Sequence, residues 1–145
     1  MPTTTAAISL TNDIASSSVS ISASFDLLKA GAAEGMDAFQ SKRLVTKSTD
    51  QVDLVAFGAA LVGGAASTHN FIYIHNASTD PSEFITVTQT DTPGGASTEV
   101  IVEQIGRLYG GDWMFIPWSA AAAANDIAIK PSVATEMPIE YLLFS

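Results

Sequence analysis

The stretch Tyr109-Gly110-Gly111-Asp112-Trp113-Met114-Phe115-Ile116-Pro117-Trp118 decides how this chain is read. A glycine pair marks a turn, because glycine takes backbone angles that other residues avoid. Large side chains then alternate until Pro117, which lacks an N–H for a ladder bond and therefore sits at a strand end or edge. Trp113 and Phe115 share one face while Met114 and Ile116 share the other, as in a strand covered on both sides. Core packing or a subunit interface is the expected role of Trp113. Trp118, beyond the proline, and Tyr109, before the glycines, are candidate contact residues, since aromatics on a rigid β scaffold can stack on a partner or a sugar ring.

Outward from this stretch the chain keeps the same grammar. Val100–Ile105 is expected to pair with Phe84–Thr88 through Asp91-Thr92-Pro93-Gly94-Gly95, whose proline and glycines suit a hairpin turn. Phe71–Ile74 is a further strand, followed by the turn formers Asn76-Ala77-Ser78-Thr79-Asp80-Pro81-Ser82. Asn76-Ala77-Ser78 fits a glycosylation triplet but reads as an asparagine turn. Ile127–Ile129 and Ile139–Phe144 close the chain.

Nearer the start, Val19, Ile21, Ala23 and Phe25 alternate with serines, which predicts a strand over 17–27 with one side on a core. Arg43–Thr46 and Val52–Phe57 read as strands around a polar turn. Residues 30–39 and 58–66 read as loops, the second in competition with a short helix, and Ala120–Ala124 holds one helical turn at most. Residues 1–15 are poor in large side chains and read as an arm or an edge strand.

Roughly nine or ten short strands with no long helix predict an all-β fold: an antiparallel β-sandwich or jelly-roll-like barrel with an extended N-terminal arm. The expected organisation is an arm at 1–15 and a single domain at 16–145.

The 145 residues contain no cysteine, which removes disulfides and thiolate chemistry. No segment reaches the roughly 20 apolar residues of a membrane span, and no signal peptide is read at the start, so no membrane partner is expected. The net charge is −9, and it is uneven. Bases and acids balance over residues 1–48, whereas residues 49–145 hold only Arg107 and Lys130 against eleven acids. Without a basic stripe to release counterions, nucleic-acid binding is not expected. Lys42, Arg43 and Lys47 instead form a candidate interface that meets acidic surface on another copy or another protein.

Catalytic motifs are missing from the sequence. His69 and His75 would stand roughly 20 Å apart along one strand, too far to share an ion, and no His-x-His pair exists. There is no Gly-x-Ser-x-Gly elbow and no phosphate loop. Carboxylates can be paired at will, Asp112 with Asp126 for instance, but acids on alternating strands are ordinarily the solvated face. The expectation is a chain that is not an enzyme and carries no metal or cofactor.

The segments Gly111–Pro117, Asp126–Lys130 and Ile139–Leu143, with Phe71–Asn76 upstream, resemble the closing strands of small virion structural proteins of tailed bacteriophages. The resemblance covers residues 69–145. It implies a capsid decoration or cement protein, or a neck- or tail-associated one, whose partners are the major capsid protein, other virion proteins and its own copies, with a trimer among the options. The implied location is the outer surface of the virion, after assembly in the host cytoplasm. The rival reading is a carbohydrate- or receptor-binding β-sandwich module of a tail or fibre.

Overall fold

The computed structural model of the chain describes residues 4–12, 19–29, 33–36, 38–55, 70–91, 100–118 and 126–145. The expected loop at 58–66, the turn after Asp91, the alanine run at 120–124 and His69 lie outside the described residues. Ten strands are present among the described residues, with no helix. The all-β class read from the sequence is the fold of the protein.

Two compact units divide the chain, Met1–Asp37 and Ala38–Ser145. In the first, β1 (Thr5–Asn12) pairs antiparallel with β2 (Val19–Asp26) along its whole length. The stretch read as an arm or edge strand is thus one half of a hairpin, and the boundary between units falls after Asp37 rather than after residue 15. The alternation in β2 is present, but it does not face a core: Ile21 is 50% exposed and Phe25 43%. Period-two alternation dictates that one face is apolar; it does not supply what covers that face.

The second unit is a two-sheet sandwich. One sheet runs β3 (Phe39–Thr46), β10 (Met137–Phe144), β5 (Asn70–Asn76), β8 (Trp113–Trp118). The other runs β4 (Val52–Val55), β9 (Asp126–Pro131), β6 (Phe84–Asp91), β7 (Val100–Tyr109). All pairings are antiparallel. Among the described strands only the step from β6 to β7, whose pairing the sequence predicts, stays within one sheet; the other steps between successive described strands of this unit change sheet.

The sandwich is held by the inward residues of both sheets. Met137, Ile139, Tyr141 and Leu143 of β10 alternate inward and meet Ile72 and Ile74 of β5 in one cluster with Ile85, Val87, Leu108, Ile127 and Ile129 of the opposite sheet. Each such side chain contributes about 1.5–3 kcal/mol by leaving water. Burial pushes the Tyr141 phenol above its ordinary value of 10.0.

One end of the sandwich is tied by Asn76. Its Nδ2 donates to the carbonyl of Leu108, in the opposite sheet, at 3.1 Å and to that of Glu83 at 3.4 Å. Its Oδ1 accepts from the Ser78 N–H at 3.1 Å. Its backbone N–H donates to the Asp112 carbonyl at 3.0 Å, and its carbonyl accepts from the Gly111 N–H at 2.8 Å. Asn76 is fully buried, so the asparagine turn expected from the sequence is also a bridge between sheets.

The surrounding loops complete the tie. Ser78 donates through its hydroxyl to Glu83, whose other carboxylate oxygen accepts from Thr135 at 2.9 Å. The Ser82 hydroxyl and N–H both donate to Asp80 and hold its carboxyl below the ordinary 3.8. Gly110 passes so close to this loop that a Cβ there would lie 2.2 Å from the Asp80 carbonyl oxygen, and Gly111 takes φ 89°. Both glycines of the opening stretch are therefore required by geometry.

Asn76→Ala leaves two carbonyls and an N–H without their partner, and is expected to lower unfolding free energy by about 2–4 kcal/mol in urea titration. Gly110→Ala is expected to cost a comparable amount, while Gly106→Ala, where a Cβ meets only the Met114 side chain at 3.8 Å, is expected to cost under about 1 kcal/mol. Because the native state favours the neutral Tyr141 phenol, its contribution is complete below about pH 10 and is lost as pH rises through the raised native value. Alkaline unfolding curves of Tyr141→Phe are expected to be shallower than those of the natural chain.

Candidate functional site

The outward face of the sheet β3-β10-β5-β8 is an aromatic plate. Register places its side chains in rows: Phe39, Phe144, Phe71 and Pro117; then Ser41, Leu142, Tyr73 and Phe115; then Arg43, Glu140, His75 and Trp113. The Phe71 and Phe115 rings stack at 5.4 Å and 4°, which explains how outward-facing Phe71 is only 7% exposed. Phe39 lies 5.3 Å from Phe144, Phe144 lies 6.2 Å from Phe115, and Tyr73 lies 6.0 Å from Trp113. Phe39 and Trp113 are 54% and 53% exposed.

The last row adds polar groups to this plate. Glu140 lies at the centre, 4.0 Å from Arg43 Nε and 3.5 Å from His75 Nδ1. A depression of about 310 Å³ opens beside it, lined by Ser41, Lys42, Arg43, Tyr73, Glu140 and Leu142. Donors and acceptors of both signs thus line one side of an aromatic surface. Among the described residues no group of three or more His, Asp and Glu side chains is placed to hold a metal ion.

The residues singled out from the sequence do not gather in one place. Lys42 and Arg43 line the depression. Lys47, beyond the end of β3, pairs with Glu136 at 2.6 Å, with both side chains 69% exposed. Arg43 and Lys47 therefore already have carboxylate neighbours within the chain, in exposed pairs worth at most about 1 kcal/mol each. Tyr109 belongs to the other sheet, where it is 42% exposed, packs 5.3 Å from Phe84 and sits near Arg107, whose guanidinium lies 4.7 Å over the Phe84 ring.

The two tryptophans are placed differently from each other: core packing is not the role of Trp113, and surface contact is not that of Trp118. Trp118 is 7% exposed and belongs to the core, so it offers no contact surface, whereas Trp113 stands in the open. The face assignment along β8 is as read, with Trp113 and Phe115 on one side and Met114 and Ile116 on the other. What differs is which side is covered: the even-numbered side faces the opposite sheet, and Trp118 falls on it. Tyr73 and Glu140 are not singled out by the sequence, and His75 is weighed there only as a metal ligand. Their alternation with Ile72, Ile74, Ile139 and Tyr141 marks them as one outward face, but only cross-strand register brings them beside Arg43 and Trp113.

Among the described residues no helix is long and apolar enough to cross a membrane. Comparison with known proteins gives no match to a family model, to a curated protein or to a solved structure.

The contrast between the tryptophans is measurable. Trp118→Ala is expected to destabilise the chain by about 3–5 kcal/mol, and Trp113→Ala by under about 1 kcal/mol. In acrylamide quenching, Trp113→Phe is expected to remove the readily quenched, red-shifted component of the emission and leave the protected one.

Proposed function

We propose that the chain is a non-enzymatic structural protein of a tailed-bacteriophage particle, a decoration or cement protein that binds the outer shell and reinforces it through contacts between subunits. The observation that carries this reading is the β1–β2 hairpin. Ala6, Ile8 and Leu10 lie opposite Phe25, Ala23 and Ile21 on one face, and Thr5, Ser9 and Thr11 lie opposite Asp26, Ser22 and Ser20 on the other. Leu10 is 57% exposed and Ile8 40%. A two-stranded ribbon is marginal in water by itself, and an apolar row of this kind gains stability when a neighbouring protein covers it. A hairpin of this design suits attachment to an assembly.

The sandwich is compatible with the same reading. The order β3-β10-β5-β8 against β4-β9-β6-β7, with a single in-sheet hairpin, reads as a jelly roll, an architecture used by viral capsid domains and by lectins. The likeness of residues 69–145 to small phage virion proteins points the same way, and the net charge of −9 disfavours a position against packaged DNA. The partners are the major capsid protein or another virion protein, together with further copies of the chain.

The test is the mass of the purified protein by light scattering, alone and mixed with virus-like shells that lack it. A closed oligomer, or saturation of the shells at a fixed ratio, is the expected result, and Leu10→Ser with Ile21→Ser is expected to weaken attachment at least about tenfold. A monomer that leaves every shell bare overturns the proposal.

A further inference from the structure

We infer that the polar end of the aromatic plate is a binding site for a neutral pyranose of a glycan, with Trp113 and Tyr73 as the stacking surface and Glu140, Arg43 and His75 as the hydrogen-bonding groups. The inference concerns the second compact unit alone and holds whether or not the hairpin attaches the chain to a virion.

Sugars present two kinds of surface, an apolar face of C–H bonds and a rim of hydroxyls that both donate and accept. A matching site needs an exposed aromatic ring next to planar polar side chains of mixed character. Trp113 is more than half exposed and lies 6.0 Å from Tyr73, so the two rings form a continuous apolar surface. Beside them Glu140 offers two acceptor oxygens, Arg43 offers donors, and the His75 ring offers either according to its tautomer. The adjoining depression of about 310 Å³, at the small end of ligand sites, is lined by Tyr73, Glu140 and Arg43 and not by Trp113 or His75, so it has room for one ring beside the ring stacked on Trp113.

Charge selects the neutral sugar. Arg43 and Glu140 stand 4.0 Å apart and offset each other as seen by a ligand, while Lys42, which also lines the depression, is exposed and screened by water, so an acidic group is only weakly favoured. The opposite end of the plate, Phe39, Phe144, Phe71 and Pro117, has no polar side chain to satisfy hydroxyls, which confines the sugar to the Trp113 end.

The experiment is a titration of the intact chain, followed by tryptophan emission, with the methyl glycosides of glucose, galactose, mannose and N-acetylglucosamine and with a panel of neutral oligosaccharides. A saturable change in emission is expected with at least one of them, at the millimolar affinity usual for a single ring. Trp113→Ala, an exposed substitution, is expected to abolish the change while leaving the circular dichroism intact. Glu140→Gln is expected to weaken binding about tenfold, consistent with the loss of a charged acceptor. The inference is overturned if no glycan gives a saturable change, or if Trp113→Ala responds as the natural chain does. It is also overturned if the Trp113 emission shifts with protein concentration and ignores sugar, which makes this face a contact between copies.

Discussion

The sandwich depends on one buried side-chain amide. Asn76 ends β5, an inner strand, yet its Nδ2 reaches carbonyls at Leu108 and Glu83, so one residue fastens the end of one sheet to the opposite one. All of its polar groups are engaged in a site closed to water, where an unpartnered amide would be costly. The neighbouring chain fits around this tie: the backbone N–H of Ser78 meets the amide oxygen, the lack of a side chain at 110 lets the Asp80 carbonyl approach, and Gly111 takes a positive φ. The tight turn from β7 into β8 is therefore a step between sheets rather than a hairpin.

With that end fastened, the inward residues have a fixed partner surface and the outward ones are left to chemistry. The two outward faces differ. That of β3-β10-β5-β8 is aromatic, with a band of Arg43, Glu140 and His75 at one end. The other sheet carries Tyr109 and the Arg107–Phe84 contact. Acidic residues account for the net charge, yet the aromatic face is nearly neutral because its charges lie side by side. Under the glycan inference, a chain of net charge −9 presents one locally balanced face to a flat, uncharged ligand.

The hairpin follows a different logic. Its serine-rich strand satisfies the period of a half-buried strand, but among the described residues its one strand partner is β1, and a two-stranded ribbon has no second layer of its own. Apolar side chains such as Leu10 and Ile21 are left largely exposed on that ribbon. The proposed attachment role follows from this imbalance, and it assigns the two compact units separate tasks.

Much of this was legible in the residues themselves. Alternation located β2, β5, β6, β7, β8 and β10, Gly110-Gly111 and Pro81 marked their turns, and the Asn76 turn was foreseen, because these depend on local sterics and on a side-chain period of two. The sequence also determined that Trp113 and Trp118 lie on opposite sides of their strand. Which side is buried, which strand lies beside which, and that Arg43, Glu140, His75 and Trp113 form one row were decided only by the tertiary structure. Those facts depend on register between strands as far apart as β3 and β10, and no local preference encodes a partner about a hundred residues away.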